Sequence, residues 1–242
     1  MRVGTLYGVG TGPGDPELLT LRALRVVRDA DVIAHFCKRG RAGNARTIVA
    51  AHWPEGVMEL PLAYPVTTEM DRRAADYRDA IGRFFDESAA AIAAHLDAGR
   101  DVAVLSEGDP FFYGSYMHIH VRLAPRYRTE VVAGVTSISG SWSQAGLPLM
   151  QGDDVFTVLP GTLEPDALTR KLAESDSAAI MKVGRNLPKI RAALEAAGKL
   201  DGAIYVERGT MAEARIVPLA ERDDAPAPYF SLVLVPGWRG RP

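Results

Sequence analysis

The segment from Glu107 to Pro110 brings two carboxylates, a glycine and a proline together, and the aromatic run Phe111 to Tyr113 follows it directly. A carboxylate can order a turn or take up a proton, glycine lets a ligand approach the backbone, and aromatic rings pack against cationic or flat groups. The apolar run DVAVLS before it predicts a parallel strand, and open α/β sheets bind ligands at the carboxyl ends of such strands. The segment therefore predicts one wall of a ligand crevice. Simple core packing of the rings is the alternative.

Two further loops follow predicted strands. The loop GVGTGPGDP, Gly8 to Pro16, matches neither frame of the dinucleotide fingerprint and lacks the Walker lysine, so it predicts neither of those sites. A tight turn and a ligand-lining loop both remain open for it. In GVTS, Gly134 to Ser137, the amides and hydroxyls at a helix start either cap that helix or hold a carboxylate or ribose.

Basic side chains cluster after several predicted elements. A guanidinium group binds a carboxylate through two hydrogen bonds, so arginines near the crevice would suit a substrate with several carboxylates; a solvated surface is the alternative. The clusters are Lys38, Arg39, Arg41 and Arg46, then Arg72, Arg73 and Arg78, then Arg122, Arg126 and Arg128.

No catalytic triad or metal site is predicted, and the catalytic residues stay unassigned. His35 and Cys37 are poorly placed on one strand as a base and nucleophile pair. His118 and His120 are two residues apart, a spacing that separates the rings on a helix, and zinc needs three or four ligands.

The elements that must position these residues alternate between strands and helices, which predicts a parallel sheet with helical crossovers. The alternation restarts after the Gly and Pro residues near 146–152. We therefore expect two α/β domains, 1–149 with a mainly parallel sheet and 150–242 with a more mixed one. A helix that starts at Pro16 is predicted to bury Leu18, Leu21, Leu24 and Val27. A polar segment, in which no strand is predicted, leads from the strand DVIAHF to MDRRAADYRDAIGRFFDESAAAIAAHLDAG, which is predicted to form one long helix or two abutting helices that end at Gly99.

The composition is that of an ordinary globular chain, with 242 residues, 47% hydrophobic and 24% charged. The net charge of −2 gives no basic field, so nucleic acid is not an expected partner. A single cysteine excludes an internal disulfide and fits a reducing compartment, and no long apolar run predicts a leader or a membrane span. We expect a cytoplasmic protein that binds no membrane.

Taken together, GVGTGPGDPELLTLRA, LSEGDPFFYGSY, GVTS, IMKVG and YVERGT, in this order and at these distances, resemble the tetrapyrrole methyltransferase family of S-adenosylmethionine-dependent enzymes. The resemblance spans nearly the whole chain. It implies a two-domain α/β enzyme, commonly a homodimer, that binds a folded S-adenosylmethionine in the cleft between its domains and releases S-adenosylhomocysteine. Its other ligand would be a small-molecule tetrapyrrole.

The motifs also imply site residues. Those matched to the cofactor are Pro13, Glu107, Gly108, Asp109, Phe112, Thr136, Ser137, Met181 and Gly209. For the substrate, which carries eight carboxylates, Arg39, Arg41 and Tyr113 are the candidates.

Departures from one branch of the family refine the resemblance. The uroporphyrinogen III methyltransferase branch usually has glycine where this chain has Glu107, and an arginine-containing turn where this chain has Gly114-Ser115-Tyr116. These features indicate the branch that serves cobalamin biosynthesis. Methylation of another ring carbon, a cobalt-containing ring as substrate, and a non-catalytic tetrapyrrole carrier remain alternatives. Glu107, Tyr113 or water remains open as the proton acceptor.

Overall fold

The computed structural model describes residues 2–65 and 75–237. The chain folds into two compact units, the first up to Thr136 and the second from Ser137 onward. Helix Ser137–Gln144 therefore belongs to the second unit, whereas the sequence-based boundary at 149/150 grouped it with the first. No helix within the described ranges combines the length and apolar composition that crossing a bilayer requires.

The first unit is built on a parallel sheet. In chain order its strands are β1 (Leu6–Gly10), β2 (Val32–Lys38), β3 (Met58–Tyr64), β4 (Val102–Ser106) and β5 (Thr129–Val132). Across the sheet they run β3-β2-β4-β1-β5, and every pairing is parallel. β4 lies between β2 and β1 and is buried along its whole length, as its unbroken apolar sequence predicts. The predicted parallel sheet is confirmed.

Helices cover both faces of this sheet. They are α1 (Leu21–Asp29), α2 (Asn44–Ile48), α3 (Ala75–Asp97) and α4 (Tyr116–Leu123). Val104 of β4 belongs to the hydrophobic cluster that includes Ile92 and Ile119 of α3 and α4. Leu105, on the opposite face of β4, belongs to the cluster that includes α1 and α2. Both clusters fix β4 in place, and with it the loop that starts at Glu107.

The first helix departs from the prediction. Pro16–Leu18 forms a separate 3₁₀ turn, and α1 begins only at Leu21, after the Thr20 hydroxyl accepts a hydrogen bond from the Ala23 N–H. Leu21, which was predicted to be buried, is 87% exposed. The extended residues between turn and helix reset the helical phase, so the prediction is wrong for Leu21 but confirmed for Val27, which is buried. The buried positions of α1 are Ala23, Val26 and Val27.

Strand β3 was missed in the sequence because it lies at the edge of the sheet. It pairs only with β2 among the described strands, and most of its residues are exposed or half-buried. Pro61 interrupts its apolar pattern, and edge strands are where a sheet tolerates proline. The sequence MELPLAY therefore lacks the regular alternation that marks a half-buried strand.

The second unit is built on a mixed sheet. Its elements are α5 (Ser137–Gln144), β6 (Phe156–Pro160), α6 (Pro165–Glu174), β7 (Ser177–Met181), α7 (Leu187–Ala196), β8 (Ile204–Glu207), β9 (Arg215–Pro218) and β10 (Ser231–Val235). The strand order is β6-β7-β10-β8-β9, with β6 and β7 parallel and the other pairings antiparallel. The predicted mixed sheet is confirmed. Since β10 runs opposite to both neighbours, β6, β7 and β8 end at the same edge.

Candidate active site

The loops after β1 and β4 are joined by backbone hydrogen bonds at the carboxyl edge of the first sheet. The Thr11 N–H donates to the Ser106 carbonyl at 2.8 Å, and the Thr11 hydroxyl donates to the same oxygen at 3.1 Å. Gly12 and Gly108 then form an isolated antiparallel bridge, in which the Gly108 N–H donates to the Gly12 carbonyl at 2.8 Å. The two loops are therefore one rigid structure.

The loop after β5 packs directly onto this structure at Gly134. A Cβ atom on Gly134 would lie 2.0 Å from the Gly108 carbonyl oxygen and 2.9 Å from the Gly10 Cα. Both neighbours are backbone, which no rotamer change can move aside. Glycine is thus required at residue 134 because three loops meet there.

Asp109 ties the same loops together through its carboxylate. One oxygen accepts the Phe111 N–H at 2.9 Å, and the other accepts the Gly134 N–H at 3.0 Å. The second bond crosses from the loop after β4 to the loop after β5. Asp109 therefore orders the wall of the predicted crevice.

Glu107 points elsewhere, toward the start of α2. Its carboxylate accepts hydrogen bonds from the Asn44 side chain and the Ala45 N–H. Glu107 is exposed, yet the protein around it raises the pKa of its carboxyl by desolvation, and the two hydrogen bonds oppose that rise. Because the residue is exposed, a ligand can reach its carboxylate.

The aromatic run is not core. Phe111 is 47% exposed and Tyr113 is 48% exposed, while the Phe112 and Tyr113 rings meet edge to face at 5.1 Å. Tyr113 also has a φ of 57°, an uncommon backbone conformation for an aromatic residue. Of the other predicted cofactor residues in this unit, Pro13 and Thr136 are half-buried on the loops after β1 and β5.

The same backbone conformation recurs at two motifs of the second unit. Lys182 follows Met181 at the end of β7 with a φ of 57°, and Arg208 precedes Gly209 at the end of β8 with a φ of 49°. Within the described residues, Tyr113, Lys182 and Arg208 are the non-glycine residues with positive φ. Strained backbone of this kind concentrates at functional sites.

In the second unit, Met181 and Gly209 lie at the shared edge of β6, β7 and β8. The Met181 carbonyl accepts the Gly161 N–H at 2.6 Å, which joins the loops after β6 and β7. A Cβ atom on Gly209 would lie 2.6 Å from the Ser141 hydroxyl oxygen of α5, the helix that begins at Ser137.

Some arginines of the predicted clusters form ion pairs, and others do not. Arg46 pairs with Glu59 at 3.0 Å and stacks over Trp53, Arg122 pairs with Asp86, and Arg128 pairs with Glu130. Arg39 and Arg41 are exposed in the turn after β2, and neither forms an ion pair with any residue in the described ranges. Arg72 and Arg73 lie outside the described residues.

The histidines and the cysteine have other contacts. His35 meets the Glu59 carboxylate at 2.9 Å, and burial raises the pKa of the Cys37 thiol. His118 stacks on Phe85 and His120 contacts the Tyr116 ring. Within the described ranges, no group of three or more His, Cys, Asp or Glu side chains is placed to hold a metal ion.

Sequence reasoning missed the residues that support these loops. Thr11 is fully buried, and Asn44 and Ala45 bind Glu107 from a distant part of the chain. The buried Ser106 hydroxyl has no hydrogen-bond partner among the described residues. Thr11 and Ser106 adjoin predicted strand ends, which was a usable signal. Nothing in the sequence pairs Asn44 with Glu107.

Comparison with known proteins agrees with this architecture. The family model of tetrapyrrole (corrin/porphyrin) methylases matches residues 5–223. The chain is 62% identical to a precorrin-2 C(20)-methyltransferase from Sinorhizobium sp. over 240 residues, which cover 99% of this chain and 98% of that protein. It is 30% identical to a cobalt-precorrin-2 C(20)-methyltransferase from Salmonella typhimurium, over 96% of both chains.

Among solved structures, the uroporphyrin-III C-methyltransferase from Thermus thermophilus complexed with S-adenosyl homocysteine is similar, with a TM-score of 0.67 and 25% identity. The similarity covers 96% of this chain and 92% of that chain. The chain belongs to the tetrapyrrole methylase family, and it is a methyltransferase.

Proposed function

We propose that this enzyme transfers a methyl group from S-adenosylmethionine to the C20 meso carbon of precorrin-2, giving precorrin-3A in cobalamin biosynthesis. The observation that carries the proposal is the 62% identity to the Sinorhizobium enzyme, which extends over nearly the full length of both chains. The more distant cobalt-precorrin-2 relative supports the same ring position.

The carboxyl edge of the first unit fits the proposed donor. S-adenosylmethionine supplies an electrophilic methyl group on a positively charged sulfur. The loops Thr11–Asp15, Glu107–Asp109 and Gly134–Thr136 contain carboxylates, hydroxyls and glycines but no lysine or arginine. The Ser106 hydroxyl at the end of β4 has no hydrogen-bond partner in the described part of the chain, so a ligand can satisfy it. The composition of this edge therefore suits a cationic ligand.

We assign the donor site to the residues that match the family motifs. In the first unit they are Pro13, Glu107, Gly108, Asp109, Phe112 and Thr136, and in the second they are Ser137, Met181 and Gly209. Asp109 acts by ordering the loops, because both of its carboxylate oxygens accept backbone N–H groups. Holding the methyl group in line with the ring carbon can lower the activation barrier by on the order of 7 to 11 kcal/mol.

We assign Arg39, Arg41 and Tyr113 to the tetrapyrrole. The ring carries eight carboxylates, and Arg39 and Arg41 are the exposed guanidinium groups after β2 that lack an ion pair among the described residues. Tyr113 is exposed and held in a strained conformation beside Phe112.

Charge reversal tests this assignment. We expect Arg39→Glu or Arg41→Glu to raise the KM for the tetrapyrrole by roughly 10-fold, because each variant replaces an attraction to a carboxylate with a repulsion. The Kd for S-adenosylhomocysteine should stay the same. Steady-state kinetics and calorimetry measure the two quantities.

The matched control is Arg170→Glu, which reverses an exposed arginine on α6 of the second unit. It should leave both constants unchanged. If Arg39→Glu and Arg41→Glu behave like Arg170→Glu, these arginines do not bind the substrate.

The proposed reaction is tested by incubating the protein with methyl-labelled S-adenosylmethionine and precorrin-2. Mass spectrometry counts the methyl groups in the product, and NMR shows which carbon carries the label. A label that remains on the donor would indicate a non-catalytic carrier, and a label on another carbon would overturn the assignment to C20.

Parallel reactions with cobalt-containing precorrin-2 identify the preferred form of the ring. The higher identity to the Sinorhizobium protein favours the metal-free form.

We further propose that the enzyme works as a homodimer in the cytoplasm. The family resemblance supports the dimer. The single cysteine, Cys37, is buried and free, as suits a reducing compartment. Light scattering of the purified protein should give twice the mass of the 26.1 kDa chain.

A further inference from the structure

The proposed function leaves one chemical requirement unmet, and this inference rests on that function. When a methyl group replaces the hydrogen on a meso carbon of the ring, that hydrogen must leave as a proton. An acceptor is therefore needed within hydrogen-bond reach of the reacting carbon.

The carboxylates near the donor loops differ in their availability. Asp109 uses both carboxylate oxygens on backbone N–H groups of its own wall. Asp15 accepts the Glu17 N–H at the start of a 3₁₀ turn. Glu107 is exposed and accepts its hydrogen bonds from one side, where α2 begins. Glu107 differs from the half-buried Asp109 in its exposure, which lets a ligand approach the lone pairs that its two donors leave unused.

The surroundings of Glu107 also suit an acceptor. Residue 107 follows Ser106, the last residue of the fully buried central strand β4, and precedes the Gly108 bridge to Gly12. The Asn44 side chain and the Ala45 N–H hold the carboxylate in one orientation. Desolvation raises its pKa, which brings a carboxylate closer to the basicity that proton transfer near neutral pH requires.

We propose that Glu107 is the general base that removes the C20 proton after methyl transfer. In this step C20 uses a π electron pair of the ring to bond the methyl carbon, while the methyl–sulfur bond breaks and its electron pair stays on sulfur. The C20–H bond then breaks, its electrons restore the conjugated system, and the proton passes to the Glu107 carboxylate. Water takes the proton from there, so no further reactant is needed.

Several charged groups on neighbouring elements have partners of their own, whereas Arg39 and Arg41 in the turn between β2 and α2 form no ion pair within the described residues. His35 on β2 and Arg46 on α2 both bind Glu59, and Asp109 binds backbone. The pKa of Glu107 responds to burial and to its hydrogen bonds with Asn44 and Ala45. A change at Asn44 is therefore a direct way to alter the basicity of this carboxylate.

The first test is Glu107→Gln, which keeps the size and one acceptor oxygen of the side chain but removes its basicity. We expect kcat for precorrin-2 methylation to fall about 100-fold or more. The fall in kcat should persist at saturating S-adenosylmethionine, whatever the change in the Kd for S-adenosylhomocysteine, and the Tm should match that of the parent. The matched control is Glu87→Gln, the same change at an exposed position of α3, which should retain full kcat.

The second test is Asn44→Ala, which retains the carboxylate and removes one hydrogen bond to its ionised form. The pKa of Glu107 should rise, so the acidic limb of the kcat/KM profile should move to higher pH. A purely structural role for Glu107 would not move this limb. Tyr113→Phe should keep the limb in place if Glu107, and not the phenol, takes the proton.

The outcomes separate this inference from the proposed function. A parent protein that does not methylate precorrin-2 at C20 overturns both. A parent that does so, together with a Glu107→Gln variant of unchanged kcat and pH profile, overturns the role of Glu107 alone. A Glu107→Gln variant that regains the parent kcat at saturating S-adenosylmethionine also overturns it, because the residue would then act only through donor binding.

Discussion

Gly134→Ala should destabilise the first unit by about 3 kcal/mol and lower kcat/KM by roughly 100-fold. The new Cβ would lie 2.0 Å from the Gly108 carbonyl oxygen, so the loops after β4 and β5 must separate. That separation also stretches the Asp109 bond to the Gly134 N–H. Urea denaturation gives the free energy of unfolding, and the methyl-transfer assay gives the rate.

Gly82→Ala is the matched control for this substitution. Gly82 lies inside α3, its added Cβ would meet no atom within 4 Å, and its φ is not positive. Alanine should stabilise the helix there by about 0.5 to 1 kcal/mol without affecting the rate. Equal stability and activity in the two variants would mean that the three loops do not meet as described.

Asp109→Ala should weaken binding of S-adenosylhomocysteine about 10-fold and lower the free energy of unfolding by about 2 kcal/mol. The variant leaves the Phe111 and Gly134 N–H groups without their carboxylate acceptor. The half-buried N–H of Gly134 carries most of the cost, since water replaces the lost acceptor at the exposed Phe111. Calorimetry measures the affinity, and denaturation measures the stability.

Asp109→Asn separates geometry from charge. Its side-chain carbonyl oxygen can replace one of the two acceptors, so the variant should lie between the parent and Asp109→Ala in both measurements. An Asp109→Ala variant that binds S-adenosylhomocysteine as tightly as the parent would show that this wall does not form the donor site.

Strong local patterns in the sequence predicted the parts of the fold that depend on them. The unbroken apolar run of β4 predicted a central parallel strand, and the strand end located the Glu107 loop at the carboxyl edge. The predicted burial of Leu21 was wrong because a 3₁₀ turn and two extended residues precede α1 and change which side chains face the core. Strand β3 was not predicted, because an edge strand that contains a proline has no distinctive sequence pattern.

In the candidate site, too, some features follow from local sequence and others depend on tertiary structure. Motif order led us to predict Glu107, Asp109 and Tyr113 as site residues, whereas the contacts that each of them makes required the fold. The carboxylate of Asp109 could be expected to order a turn, but its bond to Gly134 joins loops that only the sheet brings together. The hydrogen bond between Asn44 and Glu107 depends equally on tertiary structure, because helix α2 must pack beside β4 to form it.

The left-handed backbone at Tyr113, Lys182 and Arg208 has a consequence for protein engineering. Glycine at any of these residues would relieve steric strain of about 1 kcal/mol while leaving the path of the chain intact. A thermostabilisation campaign that scores variants by melting temperature alone would therefore tend to select glycine at these motifs. Screens of this enzyme should pair every heat challenge with a turnover measurement, because glycine at residue 113 would also remove the Tyr113 side chain that we assign to the tetrapyrrole.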